Sequence, residues 1–138
     1  MLTSAQFHAA RNGFLGLNAA QIRNSTIAII GCGPVGLCAI AATGTFNPKH
    51  IIAIDAVPSR LENAALLGAE PKNYKTEGDA LLAHVRNVTD GRGVDIVLEL
   101  VGAKPALQLA YNLIRHGGVI SSIGVHSTEF PFTATQGK

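Results

Sequence analysis

The run Thr26-Ile27-Ala28-Ile29-Ile30 passes directly into Gly31-Cys32-Gly33-Pro34-Val35-Gly36 and then into an apolar stretch, and this junction restricts the fold more than any other feature of the chain. A short continuous run rich in β-branched residues reads as a strand covered on both faces, because a half-exposed strand would alternate apolar with polar. The stretch from Pro34 to Phe46 reads as a helix, since proline is tolerated at a helix start, where its missing N–H would have no partner. The pattern then repeats. A strand is expected over Ile51–Asp55, a helix over Ser59–Leu67 closed by Gly68, and a short third strand at Asn73-Tyr74. Next come a helix over Asp79–Val88, with Leu82, Val85 and Val88 at intervals of three, and a turn at Gly91-Arg92-Gly93. A strand over Asp95–Leu100, a helix over Pro105–Ile114 and, after a turn at Gly117-Gly118, a strand over Val119–Ile123 complete the series.

Strands alternating with helices imply parallel pairing through right-handed crossovers and a sheet covered on both faces. The expected fold class is therefore α/β: a doubly wound parallel sheet of Rossmann type with about five strands. It occupies residues 25–126 as a dinucleotide-binding domain. Residues 1–24 form a helical lead-in, with Phe7, Ala10, Phe14 and Leu17 near helical spacing and Gly13 and Gly16 weakening it, and 127–138 form a polar tail with no clear period.

Gly31, Gly33 and Gly36 make a GxGxxG pattern, which means little by itself. Here it follows a buried strand, opens a helix, and is followed 19 residues after Gly36 by Asp55 at the end of the next strand. Each position meets a physical demand: Gly31 permits the tight turn, Gly33 lets the backbone approach a pyrophosphate, and Gly36 lets helix and strand pack closely. The pyrophosphate is expected at Pro34 and Val35, of which only Val35 has an N–H to offer, on the positive end of the helix dipole. Asp55 is expected to accept hydrogen bonds from the adenosine ribose, and its charge favours NAD over NADP. Arg60 opposes that preference, because a nearby arginine can accommodate a 2′-phosphate.

The remaining composition mainly excludes. Of 138 residues 47% are apolar and 14% charged, with a net charge of +2, which excludes a disordered chain and the clustered basic footprint of a nucleic-acid binder. Cys32 and Cys38 are too few for a disulfide framework, and the five histidines form no HxxH pattern, so no metal site is expected. The first residues lack a signal peptide's charged start and apolar run, and nothing approaches the roughly 18 apolar residues of a membrane span. A cytoplasmic protein is expected, with a small-molecule substrate and neither nucleic-acid nor membrane partners. Glu99 alternates with apolar neighbours, which fits a cavity-facing carboxylate, a helix cap or a solvated position equally. His126, just past the last strand, is a candidate general acid or base. His8 reads as a surface or packing residue, His84 and His116 as solvated, Cys32 as a small side chain beside the turn, and Cys38 as core.

The segments STIAIIGCGPVG (25–36), IDAVPSRLENAALLGA (54–69), TDGRGVD (89–95), LELVG (98–102) and HGGVISSIGV (116–125) resemble the medium-chain, zinc-type alcohol dehydrogenases over roughly residues 7–126. The resemblance implies further cofactor contacts. Arg60 takes the place of a basic residue beside the adenosine ribose, Val101 and Gly102 lie where the family's backbone passes the nicotinamide ribose, and Gly124 and Val125 where it meets the nicotinamide amide. It also implies what these residues do not include: the family's catalytic zinc domain, the sixth strand that mediates dimerisation and the closing helices. The expected function is the NAD(H)-binding domain of a zinc-type alcohol dehydrogenase-like oxidoreductase, truncated and without its catalytic half. Catalytic residues stay unassigned. The alternatives are a redox-neutral isomerase, lyase or cyclase using the former nicotinamide cleft, or a nucleotide-binding protein that catalyses nothing. A homodimer is expected, because a strand left at the edge of the sheet invites another chain.

Overall fold

A computed structural model of the chain describes residues 19–122. The elements in chain order are α1 (Ala19–Ile22), β1 (Thr26–Ile30), α2 (Pro34–Gly44), β2 (His50–Asp55), α3 (Pro58–Leu66), β3 (Glu70–Asn73), α4 (Gly78–Val88), β4 (Val94–Glu99), α5 (Lys104–Leu113) and β5 (Ile114–Ser122). The five strands form one parallel sheet in the order β3-β2-β1-β4-β5. The chain leaves β1 to one side through β2 and β3, then crosses back to β4 and β5. The switch point, where ligands of doubly wound sheets bind, is therefore the C-terminal end of β1.

Alternation along the buried strands divides the core into two layers. Ile27, Ile29, Ile51, Ala53, Ile96 and Leu98 pack with Cys38, Ala39 and Ile40 of α2 and with Leu61 and Ala64 of α3. Ala28, Ile30, Ile52, Ile54 and Val97 pack on the other face, against Leu81 and Val85 of α4 and Ala106, Ala110 and Leu113 of α5. Burying an isoleucine is worth roughly 1.5–3 kcal/mol, so the two layers drive assembly of the sheet. Both cysteines are buried free thiols, as expected of core and turn positions.

Several element boundaries differ from the sequence expectations. The third strand is Glu70–Asn73 rather than Asn73-Tyr74, a polar edge strand with Pro71 exposed, where proline's missing donor costs no ladder bond. Ile114 starts β5 instead of ending the preceding helix, and Gly117-Gly118 lie within that strand rather than forming a turn into it. The register explains this: between Val94↔Ile114 and Ile96↔Val119, β4 advances two residues and β5 five, and Gly117 at φ 76° lies inside the resulting bulge. His84 is half-buried rather than solvated and pairs with Glu70 Oε1 at 3.0 Å, while Glu70 Oε2 pairs with His50 Nδ1 at 2.8 Å. His116 is exposed. Of the lead-in, residues 19–24 fall among those described, and Ala19–Ile22 is helical. His8, Gly124, Val125, His126 and the tail lie outside them.

Candidate functional site

The glycine-rich turn joins β1 to α2 at the switch point. Gly31 has φ 104°, a conformation that an L side chain adopts only under strain, and its N–H donates to the Ile54 carbonyl at 2.8 Å. A Cβ on Gly36 would lie 1.9 Å from the Gly31 carbonyl oxygen, so glycine there is a packing necessity. Gly33 differs from both. Its φ is −72°, and a Cβ there would meet nothing nearer than Arg60 Cζ at 3.9 Å. The fold permits a side chain at 33; the open space beside it is the cleft. The N–H groups of Val35 and Gly36, in the first turn of α2, have no intrahelical acceptor by position.

Asp55 closes the opposite wall. Its Oδ2 accepts the Cys32 N–H at 2.8 Å, and its Oδ1 accepts those of Ala56 and Val57 at 2.6 and 2.9 Å. Burial works against the charged form, but the N–H donors of Cys32, Val57 and Ala56 together with Arg60 outweigh it and hold the carboxyl below its usual 3.8. Arg60 Nη1 stands 3.8 Å from Oδ2, half-exposed above the turn. Burial, with the charge of Asp55 adding to it, pushes the Cys32 thiol up to about 12, so it stays neutral and unreactive beside the turn.

Gly31, Gly33, Pro34, Val35, Gly36, Asp55, Arg60 and Val101 line one cavity of about 260 Å³. Eight of the eleven residues expected from sequence thus meet around one cleft, and Gly102 adjoins its wall at φ 81°. Gly124 and Val125 lie outside the described residues.

Sequence reasoning missed one feature and left the role of a second open. An apolar cavity of about 470 Å³ adjoins the cleft, with Val101 as the shared wall and Tyr74, Leu81, Leu82, Ala106 and Leu109 among its lining. The position of Tyr74 just after β3 was the available signal, hidden by its assignment to the strand itself. The second feature is Glu99, which is fully buried. Its Oε1 accepts the Val101 and Gly102 N–H groups at 2.8 and 2.7 Å, and its Oε2 accepts the Ser122 hydroxyl at 2.6 Å. It is neither solvated nor a helix cap. Among the described residues no group of three or more His, Cys, Asp or Glu side chains converges to hold a metal ion, and no helix is long and apolar enough to cross a membrane.

A doubly wound sheet with a glycine-rich turn at its switch point and a carboxylate at the end of the neighbouring strand defines the class of Rossmann-type domains. Within that class the family model described as zinc-binding dehydrogenase matches residues 34–136, and the chain belongs to that family. Zinc-type alcohol dehydrogenase B of Aspergillus flavus is 48% identical over 126 residues, which cover 91% of this chain and 29% of that protein. Alcohol dehydrogenase TADH from Thermus sp. ATN1 superposes with a TM-score of 0.81 at 39% identity, over 97% of this chain and 40% of the other. An NADP-dependent isopropanol dehydrogenase of Clostridium beijerinckii is 34% identical over 84% of this chain and 33% of its own length. The chain thus spans well under half the length of these relatives and corresponds to the cofactor-binding part of zinc-type alcohol dehydrogenases.

Proposed function

We propose that this chain binds NAD(H) across the C-terminal edge of its sheet, as the cofactor domain of a zinc-type alcohol dehydrogenase-like oxidoreductase acting on a small molecule. The observation that carries this reading is Gly33. Gly31 and Gly36 are required by the backbone itself, whereas at Gly33 the structure has room for a side chain and glycine leaves that room to a ligand. The residues fit the cofactor. Val35 and Gly36 offer N–H groups and the positive end of α2 to a pyrophosphate. Asp55, already held by three N–H donors, presents a fixed negative carboxylate to a ribose diol. The backbone N–H of Tyr74 donates to the Asp55 carbonyl at 3.3 Å, which puts the apolar cavity beside the ribose site, where a flat adenine ring fits. A nicotinamide cofactor, once bound, supplies hydride chemistry; this chain's residues bind and orient it.

The preference is for NAD, because a 2′-phosphate would meet the Asp55 charge, and Arg60 at 3.8 Å already faces that carboxylate. The assembly proposed is a homodimer. The test of the binding reading is Gly33→Val, followed by NADH fluorescence titration and thermal melting. Affinity is expected to fall at least about tenfold, equivalent to 1.4 kcal/mol, while the melting temperature stays close to wild type. Undiminished binding would show that the ligand lies elsewhere.

A further inference from the structure

Two buried carboxylates terminate strands at the ligand edge of the sheet. Asp55 on β2 belongs to the cleft already described, while Glu99 on β4 does not line it and reaches it through the backbone of Val101. Glu99 pairs in register with Ile30, the last residue of β1, and with Ser122, the last residue of β5. Through Oε1 it gathers two successive N–H groups, those of Val101 and Gly102, and so fixes the shape of the β4–α5 turn. Through Oε2 it holds the Ser122 hydroxyl, 23 residues away, at 2.6 Å. One side chain therefore ties the wall of the nucleotide cleft to the C-terminal end of the neighbouring strand.

Strand order says what lies above that tie. With the pyrophosphate at the end of β1 and the first ribose on Asp55 at the end of β2, the second nucleotide must run the opposite way, over the ends of β4 and β5. We infer that Glu99 is a positioning residue for the nicotinamide half of the cofactor, clamping the Val101-Gly102 turn and the end of β5 in one fixed arrangement through Ser122. It touches no cofactor atom; it acts through the backbone it holds. Hydrogen bonds in a buried site keep such an arrangement rigid at the distances seen here. This inference rests on the NAD(H) reading above.

Two ligands separate this role from general stabilisation. ADP carries the adenosine and the pyrophosphate of NADH but lacks both the second ribose and the nicotinamide ring. Ser122→Ala in the full chain removes the hydroxyl that Oε2 accepts, and Glu99→Gln keeps an acceptor for both amides and a donor for the Ser122 oxygen. Ser122→Ala is expected to weaken NADH about three- to tenfold, the range of one lost hydrogen bond, and to leave ADP affinity unchanged. Glu99→Gln is expected to bind both ligands as wild type does. Equal weakening of the two ligands by Ser122→Ala, or weakening of neither, overturns the positioning role, as does loss of both in a folded Glu99→Gln protein. A wild-type chain that binds ADP and NADH equally poorly overturns the nucleotide reading itself, which distinguishes the two failures.

Discussion

Gly31, Gly33 and Gly36 share one motif for three different reasons, and only their surroundings tell the reasons apart. A methyl on Gly36 would sit 1.9 Å from a backbone oxygen that cannot retreat without moving β1. Gly36→Ala is therefore expected to cost about 2–4 kcal/mol, read as a lower urea midpoint at unchanged slope. Undisturbed stability would mean that α2 can shift away from the turn. Gly33→Val, in contrast, is expected to spare the fold and remove the ligand. Asp55 carries the next prediction. Asp55→Ala removes the charge that disfavours a 2′-phosphate and leaves Arg60 free to bind one, so the preference for NADH over NADPH is expected to relax; an unchanged ratio would show that the carboxylate does not meet the ribose. The same side chain sets an acid limit. Its folded-state pKa lies below 3.8, so its stabilising contribution is fully present above that value and is lost as pH falls through the folded one. The wild type is expected to lose stability below about pH 4 more steeply than Asp55→Ala does.

At the scale of elements, the two edges of the sheet have separate locks. Glu99 closes the C-terminal edge, and Asp95 closes the N-terminal one. Asp95 Oδ2 accepts the N–H of Thr26 on β1 at 2.8 Å, and its Oδ1 accepts Arg115 Nε on β5 at 2.7 Å. Asp95→Ala should leave the Thr26 N–H, which is buried, without its acceptor, at a cost of about 1–3 kcal/mol. Because this lock is at the edge away from the cleft, NADH affinity should not change in a folded Asp95→Ala protein; a loss comparable to that of Gly33→Val would show that the two edges are coupled. The strand interiors were legible in the sequence because burial on both faces requires continuous apolar runs such as Thr26–Ile30 and Ile51–Asp55. The edge strands were legible only in part: the expected strand over Val119–Ile123 matches the paired end of β5, but its start and the bounds of β3 were not. Glu70-Pro71-Lys72-Asn73 has no apolar signature to read, and Arg115-His116-Gly117-Gly118 has the composition of a turn although it lies within β5, in the bulge between the paired positions Ile114 and Val119. Glu99 was ambiguous for a related reason: the partner of its second oxygen is Ser122, far along the chain, and no local pattern announces it.

The glycine turn and Asp55 could be found from sequence because their spacing follows from the fold's own geometry: one helix and one strand separate them. The same topology raises the question of assembly. The sheet order places β5, nine residues long, at one end of the sheet formed by the described residues. A parallel sheet needs cover on its faces and at its edges, and a long edge strand offers a row of N–H and C=O groups to another chain. Thr128-Glu129-Phe130-Pro131-Phe132-Thr133 follows it in sequence, outside the described residues, with two Phe side chains that are costly to leave in water. A symmetric pair is the commonest closed assembly of identical chains, and pairing through the β5 side would cover both the edge and these aromatics. Light scattering at micromolar concentration is expected to give twice the monomer mass. Replacing Phe130 and Phe132 together by Ser is expected to return it to the monomer without altering NADH affinity, since the cleft lies at the end of β1. A monomer with the tail intact would mean that the chain covers its own edge, and the paired arrangement would then be wrong.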